Sequence, residues 1–123
     1  MKAITKTENI NAVGPYSLAT EANGTLFCSG QIPIDKDKNI VGESTVEQFG
    51  QVMKNIKELL SEAGYDLSNI VKVTLLLADI NDFAAVNEVY STYFSEPFPA
   101  RSTFQVAALP MGVRVEMEVI AVK

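Results

Sequence analysis

Apolar side chains recur at three- and four-residue steps through Val46, Phe49, Val52, Met53, Ile56, Leu59, Leu60 and Ala63. That spacing lays one stripe along a helix and predicts an amphipathic helix buried on that side. Ser44 with Glu47, or Thr45 with Gln48, can close a capping box at its start, and Gly64 suits the left-handed residue just past its end. Residues 70–77 follow as a β-rich apolar run. Asn81 or Asp79 can then cap a second helix carrying Phe83, Val86, Tyr90, Tyr93 and Phe94, with Pro97 and Pro99 ending it. Before the first helix, residues 3–6 read as a short strand. Residues 17–22 and 25–29 read as a hairpin, because Asn23-Gly24 supplies the two positive φ angles of a type I′ turn. Residues 101–107 and 113–122 give two closing strands joined by the turn Leu109-Pro110-Met111-Gly112. The order is β-β-β-α-β-α-β-β without repeat or linker, which predicts one α+β domain over residues 1–123: a mixed sheet of about six strands with both helices on one face.

The last strand adds an expectation about assembly. Val113, Val115, Met117, Val119 and Ala121 point one way, while the other side begins with Arg114, Glu116 and Glu118 and turns apolar at Ile120 and Val122. Two helices can cover only one face of such a sheet. The second face is therefore expected to meet another copy of the chain in a closed homo-oligomer.

Composition narrows the function classes. A chain of 123 residues, 47% of them hydrophobic, can bury a core without metal or disulfides. No apolar run approaches the ~20 residues that span a bilayer, and Met1-Lys2-Ala3 leads directly into polar sequence, so a soluble, cytoplasmic protein with no membrane partner is expected. The single Cys28 agrees with a reducing compartment and reads as a small buried thiol. The absence of histidine removes Ser-His-Asp and Cys-His nucleophile pairs and every His-containing zinc site. A net charge of −5 repels phosphate backbones, so nucleic acid is not an expected partner.

Three segments invite a chemical reading. Gly14-Pro15-Tyr16-Ser17 presents a phenol and a hydroxyl in a turn, although turn chemistry alone accounts for the dipeptide. Ser29-Gly30-Gln31-Ile32-Pro33 ends a strand at a glycine, which serves either close approach of a ligand or a bulge. Pro99-Ala100-Arg101-Ser102-Thr103 brings an arginine into an apolar strand, with Glu116 in the next one. A buried guanidinium needs a carboxylate or phosphate for its planar fork; the partner is Glu116 or Glu118 inside the protein, a ligand, or both, since a pair loose enough to accept a ligand carboxylate is a binding site.

These words, together with Val71-Lys72-Val73-Thr74, Asn81-Asp82-Phe83, Asn87 and Val115-Glu116-Met117-Glu118, resemble the reactive-intermediate deaminases, the RidA or YjgF-like family, over nearly the whole chain. The resemblance implies a chorismate-mutase-like fold assembled as a homotrimer with ligand clefts between neighbouring subunits. It implies hydrolysis of short-lived imines and enamines such as 2-aminoacrylate and 2-iminobutanoate to 2-oxo acids and ammonia, with no cofactor and no metal. Carried over by position, it makes Arg101 the clamp for the substrate carboxylate, Glu116 the group that handles water and proton, and Tyr16 a hydrogen-bonder in the pocket. Ser29, Gly30, Asn87 and the backbone at Thr103 complete the lining. Thr103 stands where members usually carry cysteine, and Leu18 where many carry glutamine, so a thiol has no role at residue 103 and one edge of the pocket is more apolar. A non-catalytic trimer that binds small carboxylates such as 2-oxo acids is the alternative reading, and ribonuclease activity, attached to some members, is a third.

Overall fold

The computed structural model describes all of residues 1–123. Helix α1 covers Thr45–Glu62 and opens on the Ser44 capping box: the Ser44 side chain accepts from the Glu47 N–H at 3.1 Å while the Glu47 carboxylate accepts from the Ser44 N–H at 3.1 Å. Of the two boxes the sequence offers, this is the one used; Thr45 and Gln48 turn instead toward the start of the last strand. Gly64 follows the helix at φ +82°, as its position predicts. The stripe of α1 is fully enclosed at Phe49, Val52, Met53, Leu59 and Leu60. Each such side chain contributes roughly 1.5–3 kcal/mol by leaving water.

The strands are β1 (Lys2–Ile4), β2 (Ala19–Ala22), β3 (Thr25–Cys28), β4 (Ile70–Leu77), β5 (Ala100–Gln105) and β6 (Val115–Val122), in the spatial order β1-β2-β3-β6-β4-β5. Asn23 and Gly24 carry the positive φ angles of the β2–β3 turn, 52° and 76°. Helix α2 (Phe83–Tyr90) links β4 to β5, its parallel neighbour and an edge of the sheet. A 3-10 turn, Ile80–Asp82, precedes α2, and Asp79 caps that turn by accepting from the Asn81 N–H at 2.9 Å.

Strands β1, β2, β3 and β5 begin and end within two residues of the sequence reading, and two further boundaries differ for a local physical reason. The second helix stops at Tyr90, short of Tyr93 and Phe94, because Ser91 and Thr92 turn their hydroxyls back onto the carbonyls of Glu88 and Val89 at 2.7 Å and satisfy the helix end there. The final strand starts at Val115 rather than 113, because the Arg114 N–H donates to the Gln48 side chain at 2.8 Å instead of to a neighbouring strand.

One face of the sheet packs on α1 and α2. Val113, Val115, Met117, Val119 and Ala121 are all buried there, as the alternation predicts. The other face carries Phe27, Lys72, Thr74, Leu76, Ser102, Phe104, Glu116, Glu118 and Ile120, with Phe27 49% and Phe104 54% exposed.

Candidate functional site

The candidate residues fall into two patches. The first surrounds Glu116. Between β3 and β6 the pairing Phe27↔Ile120 gives way to Gln31↔Met117, so four steps on one strand match three on the other. The extra residue makes a β-bulge, the device by which a strand re-aims side chains beside a site. Gly30 lies in it, against Glu116: a Cβ added at Gly30 would stand 2.0 Å from Glu116 Oε2, so no side chain fits while the carboxylate keeps its place. The Ser29 hydroxyl donates to the Ser17 carbonyl at 2.7 Å and the Ser29 N–H to the Leu18 carbonyl at 2.8 Å, which fastens the Gly14–Ser17 turn to the bulge. On the other side Asn55 of α1 donates to the carbonyls of Ile32 and Ile34, both at 3.0 Å.

These segments enclose a cavity of about 460 Å³ whose lining includes Tyr16, Leu18, Ser29, Gly30, Met111 and Glu116. Burial, followed by repulsion from Glu118, raises the Glu116 carboxyl above the ordinary carboxylate range, and no hydrogen bond from the chain offsets it. A carboxyl in that condition is poised for proton transfer. Leu18 is buried in the core as well as touching the cavity, so it gives the cavity an apolar wall.

The second patch surrounds Arg101 on edge strand β5. Arg101 pairs in register with Val73 and Thr103 with Leu75, so both side chains lie on the helix-covered face. The guanidinium carbon stands 4.5 Å from the Tyr90 ring centroid and 5.4 Å from that of Phe83. Asn87, exposed on α2, sits four residues after Phe83 and three before Tyr90, on the same helix face. Arg101 has no carboxylate partner: the chain's one ion pair joins Arg114 to Asp82 at 3.0 Å. An internal pair of Arg101 with Glu116 or Glu118, one of the two readings of the sequence, is therefore absent.

The sequence also left Arg101 and Glu116 free to meet within one chain, and the register forbids that. Glu116 pairs with Leu76 and Arg101 with Val73 of the same strand. Positions three apart on β4 point to opposite faces, and β4 lies between the two residues. One chain thus brings Tyr16, Ser29, Gly30 and Glu116 together, and Arg101, Thr103 and Asn87 together, but not one group with the other.

Phe83 and Tyr90 belong to this second patch although their helical spacing marks them only as core; the signal that separates them is the arginine that α2 faces on β5. Cys28 is buried and its thiol is pushed up to about 12, which makes it inert. No three His, Cys, Asp or Glu side chains cluster as metal ligands. No helix is long and apolar enough to cross a membrane.

Fold and patches together define a small α+β protein that keeps one carboxyl and one guanidinium unpaired on opposite faces of its sheet. Residues 6–123 match the family model described as Endoribonuclease L-PSP, and the chain belongs to that family. It is 49% identical to a mouse 2-iminobutanoate/2-iminopropanoate deaminase, over 99% of this chain and 91% of that one. Among solved structures, RidA from an Antarctic Psychrobacter superposes with a TM-score of 0.93 at 39% identity and covers both chains completely, 100% of each. Escherichia coli TdcF, solved with bound serine, superposes with a TM-score of 0.91 at 36% identity, over 100% of this chain and 99% of that one. The resemblance read from the sequence and the α+β fold are both borne out.

Proposed function

We propose that the protein hydrolyses reactive 2-imino and enamine acids to 2-oxo acids and ammonia, in a site built where the Arg101 patch of one copy meets the Glu116 patch of another. The observation that carries this reading is the Glu116 carboxyl, desolvated, free of hydrogen bonds from the chain and held against Gly30 in a cavity. Support comes from relatives named as deaminases of 2-imino acids and from a relative solved with bound serine, which carries the same α-carboxylate as the proposed substrates. The homotrimer and the cytoplasmic location expected from the sequence belong to this proposal. A second copy answers the opposite orientation of the two groups, because β5 is an edge strand and the outer sheet face presents Phe27 and Phe104 to it.

The reaction follows from the two groups. The fork of Arg101 takes the substrate carboxylate in two parallel hydrogen bonds, with Thr103 and Asn87 beside it, and presents C2 of the C=N bond to the Glu116 patch. An enamine substrate first takes a proton from solvent at C3 and gives up an N–H proton, becoming the imine. Ionised Glu116 orients a water and accepts its proton as the oxygen bonds to C2; the π electrons move to nitrogen, which takes up a proton from solvent. The resulting carbinolamine collapses when its hydroxyl loses a proton to solvent and the C–N bond breaks, with Glu116 returning its proton to the departing nitrogen. Ammonia and the 2-oxo acid balance the imine and the water. Positioning and acid–base help of roughly 10²–10⁴-fold are enough for so electrophilic a substrate. Tyr16, which lines the same cavity and is 48% exposed, would hydrogen-bond the nitrogen or the water.

The direct assay generates 2-aminoacrylate or 2-iminobutanoate with a dehydratase and follows release of the 2-oxo acid. Acceleration over the spontaneous rate is expected, and a rate that stays spontaneous for both substrates contradicts the reading. Glu116→Gln should abolish the acceleration and leave 2-oxo acid binding intact; binding without turnover in the parent protein would favour the carboxylate-binding module instead. Because Glu116 works as a base from a raised pKa, kcat/KM should fall as pH drops through a value above the ordinary carboxylate range. The description of the family as endoribonuclease raises RNA as a second substrate, which the net charge of −5 opposes. RNA cleavage that co-purifies with the protein and vanishes in Arg101→Ala would reverse that judgement.

A further inference from the structure

A guanidinium that must receive a substrate carboxylate presents a physical difficulty. Left alone on an edge strand it wanders among rotamers, and ordering it on each encounter weakens binding. Held by an aspartate or glutamate it is ordered, but the holder occupies the fork the substrate needs. Arg101 avoids both outcomes through the helix that faces it. Its guanidinium carbon rests 4.5 Å from the centre of the Tyr90 ring and 5.4 Å from that of Phe83, a cation over two aromatic faces. Ring quadrupoles attract the cation without neutralising it and leave its N–H edge free.

The support is rigid. Tyr90 is buried and packs on Phe94 at 4.7 Å and on Phe49 at 6.3 Å between ring centroids, and Phe49 lies at the centre of the core. The Tyr90 hydroxyl is buried without a well-aligned hydrogen bond; burial raises its pKa and the nearby Arg101 works against that, while the guanidinium carbon itself rests 4.5 Å from the ring centroid.

We propose that Tyr90 and Phe83 are positioning residues for the reaction, holding the Arg101 guanidinium over their rings with its charge uncompensated, so that it meets the substrate carboxylate already ordered. This rests on the assignment of Arg101 as the carboxylate clamp under Proposed function. It adds that aromatic support on α2 sets the clamp's affinity and its preference for an anion. The effect belongs to binding, because the carboxylate is held equally in substrate and transition state, so KM moves while kcat stays.

The test measures apparent KM and kcat on 2-iminobutanoate made in situ, together with calorimetric binding of 2-oxobutanoate and of its uncharged amide. In Tyr90→Leu, KM should rise about tenfold with kcat within about twofold of the parent, and the preference for carboxylate over amide should shrink by a similar factor. Phe83→Leu, at the longer distance, should show the same pattern at about threefold. Tyr90→Phe, which keeps the ring and drops the hydroxyl, should restore parental KM and preference.

Unchanged KM in both leucine variants overturns the inference, as does a fall in kcat and thermal stability with the carboxylate preference intact. Tyr90→Phe as impaired as Tyr90→Leu also overturns it, by giving the role to the hydroxyl. A parent protein that does not distinguish carboxylate from amide removes the clamp itself, and that failure is read before any variant is made.

Discussion

The chain contains two arginines, and they sit in opposite circumstances. Arg114, at the start of β6, donates from Nε to the Thr45 hydroxyl at 2.7 Å and from a terminal nitrogen to Asp82 at 3.0 Å, while Thr45 itself donates to Asp82 at 2.6 Å. The Thr45 hydrogen bond and then Arg114 hold the Asp82 carboxyl below its usual range even though burial pushes the other way. This closed set ties the start of α1, the turn before α2 and the last strand into one corner. Arg101, one strand beyond β4, has no acid within reach and rests on aromatic faces. Identical side chains thus sit differently: one charge is satisfied from within the chain and fastens the fold, and the other is left open to the carboxylate proposed as its substrate group.

The largest expected effect follows from the open charge. Arg101→Ala should lower kcat/KM for imine hydrolysis by about 10²–10³-fold, the loss of a charge-assisted clamp, while the melting temperature stays near that of the parent. A large loss of stability with activity retained per folded molecule would place Arg101 with Arg114 as a fastener.

Next comes Gly30→Ala. Its Cβ would meet Glu116 Oε2 at 2.0 Å, so the carboxylate must swing away or the bulge must shift. Activity should fall by about 10²-fold with 2-oxo acid binding largely kept, since the bulge orients the base and not the clamp. Undiminished turnover in this variant would mean that the observed position of Glu116 is not the working one.

The smallest effect on catalysis belongs to the closed charge. Arg114→Met leaves Asp82 with Thr45 alone and should cost about 1–3 kcal/mol in denaturant unfolding, reduced because both partners are partly exposed, with kcat unaltered. A catalytic defect at full stability would show that the corner reaches the site.

Much of this was legible in the amino-acid sequence because local rules and tertiary demands agree there. The α1 stripe, the Asn23-Gly24 turn and the alternation of β6 each have one physical solution, and the protein adopts it. The end of α2 was hidden because the hydroxyls of Ser91 and Thr92 compete for its last carbonyls, whereas the apolar pattern runs on to Phe94. Within the candidate site, Tyr16, Ser29 and Gly30 were visible as local signals, a turn and a glycine ending a strand, but the residues alone grouped Glu116 with Arg101, and only the family resemblance joined it to the other three. The separation of Arg101 from Glu116 was not legible, since it depends on β5 running parallel to β4 and on the register of both neighbours of that strand. The aromatic seat of Arg101 was concealed for the same reason: Phe83 and Tyr90 look like any core positions until the strand they face is known.

The proposed site takes its guanidinium from one copy of the chain and its carboxyl from another. It is tested most directly by mixing two inactive variants, Arg101→Ala and Glu116→Gln, under conditions that exchange subunits, and measuring imine hydrolysis. Random assortment in a closed ring joins an intact Arg101 to an intact Glu116 at roughly a quarter of the interfaces, so recovery of about that fraction of parental activity is the predicted result. Hybrid assemblies that form, as mass measurement would reveal, yet remain as inactive as either variant alone would contradict it.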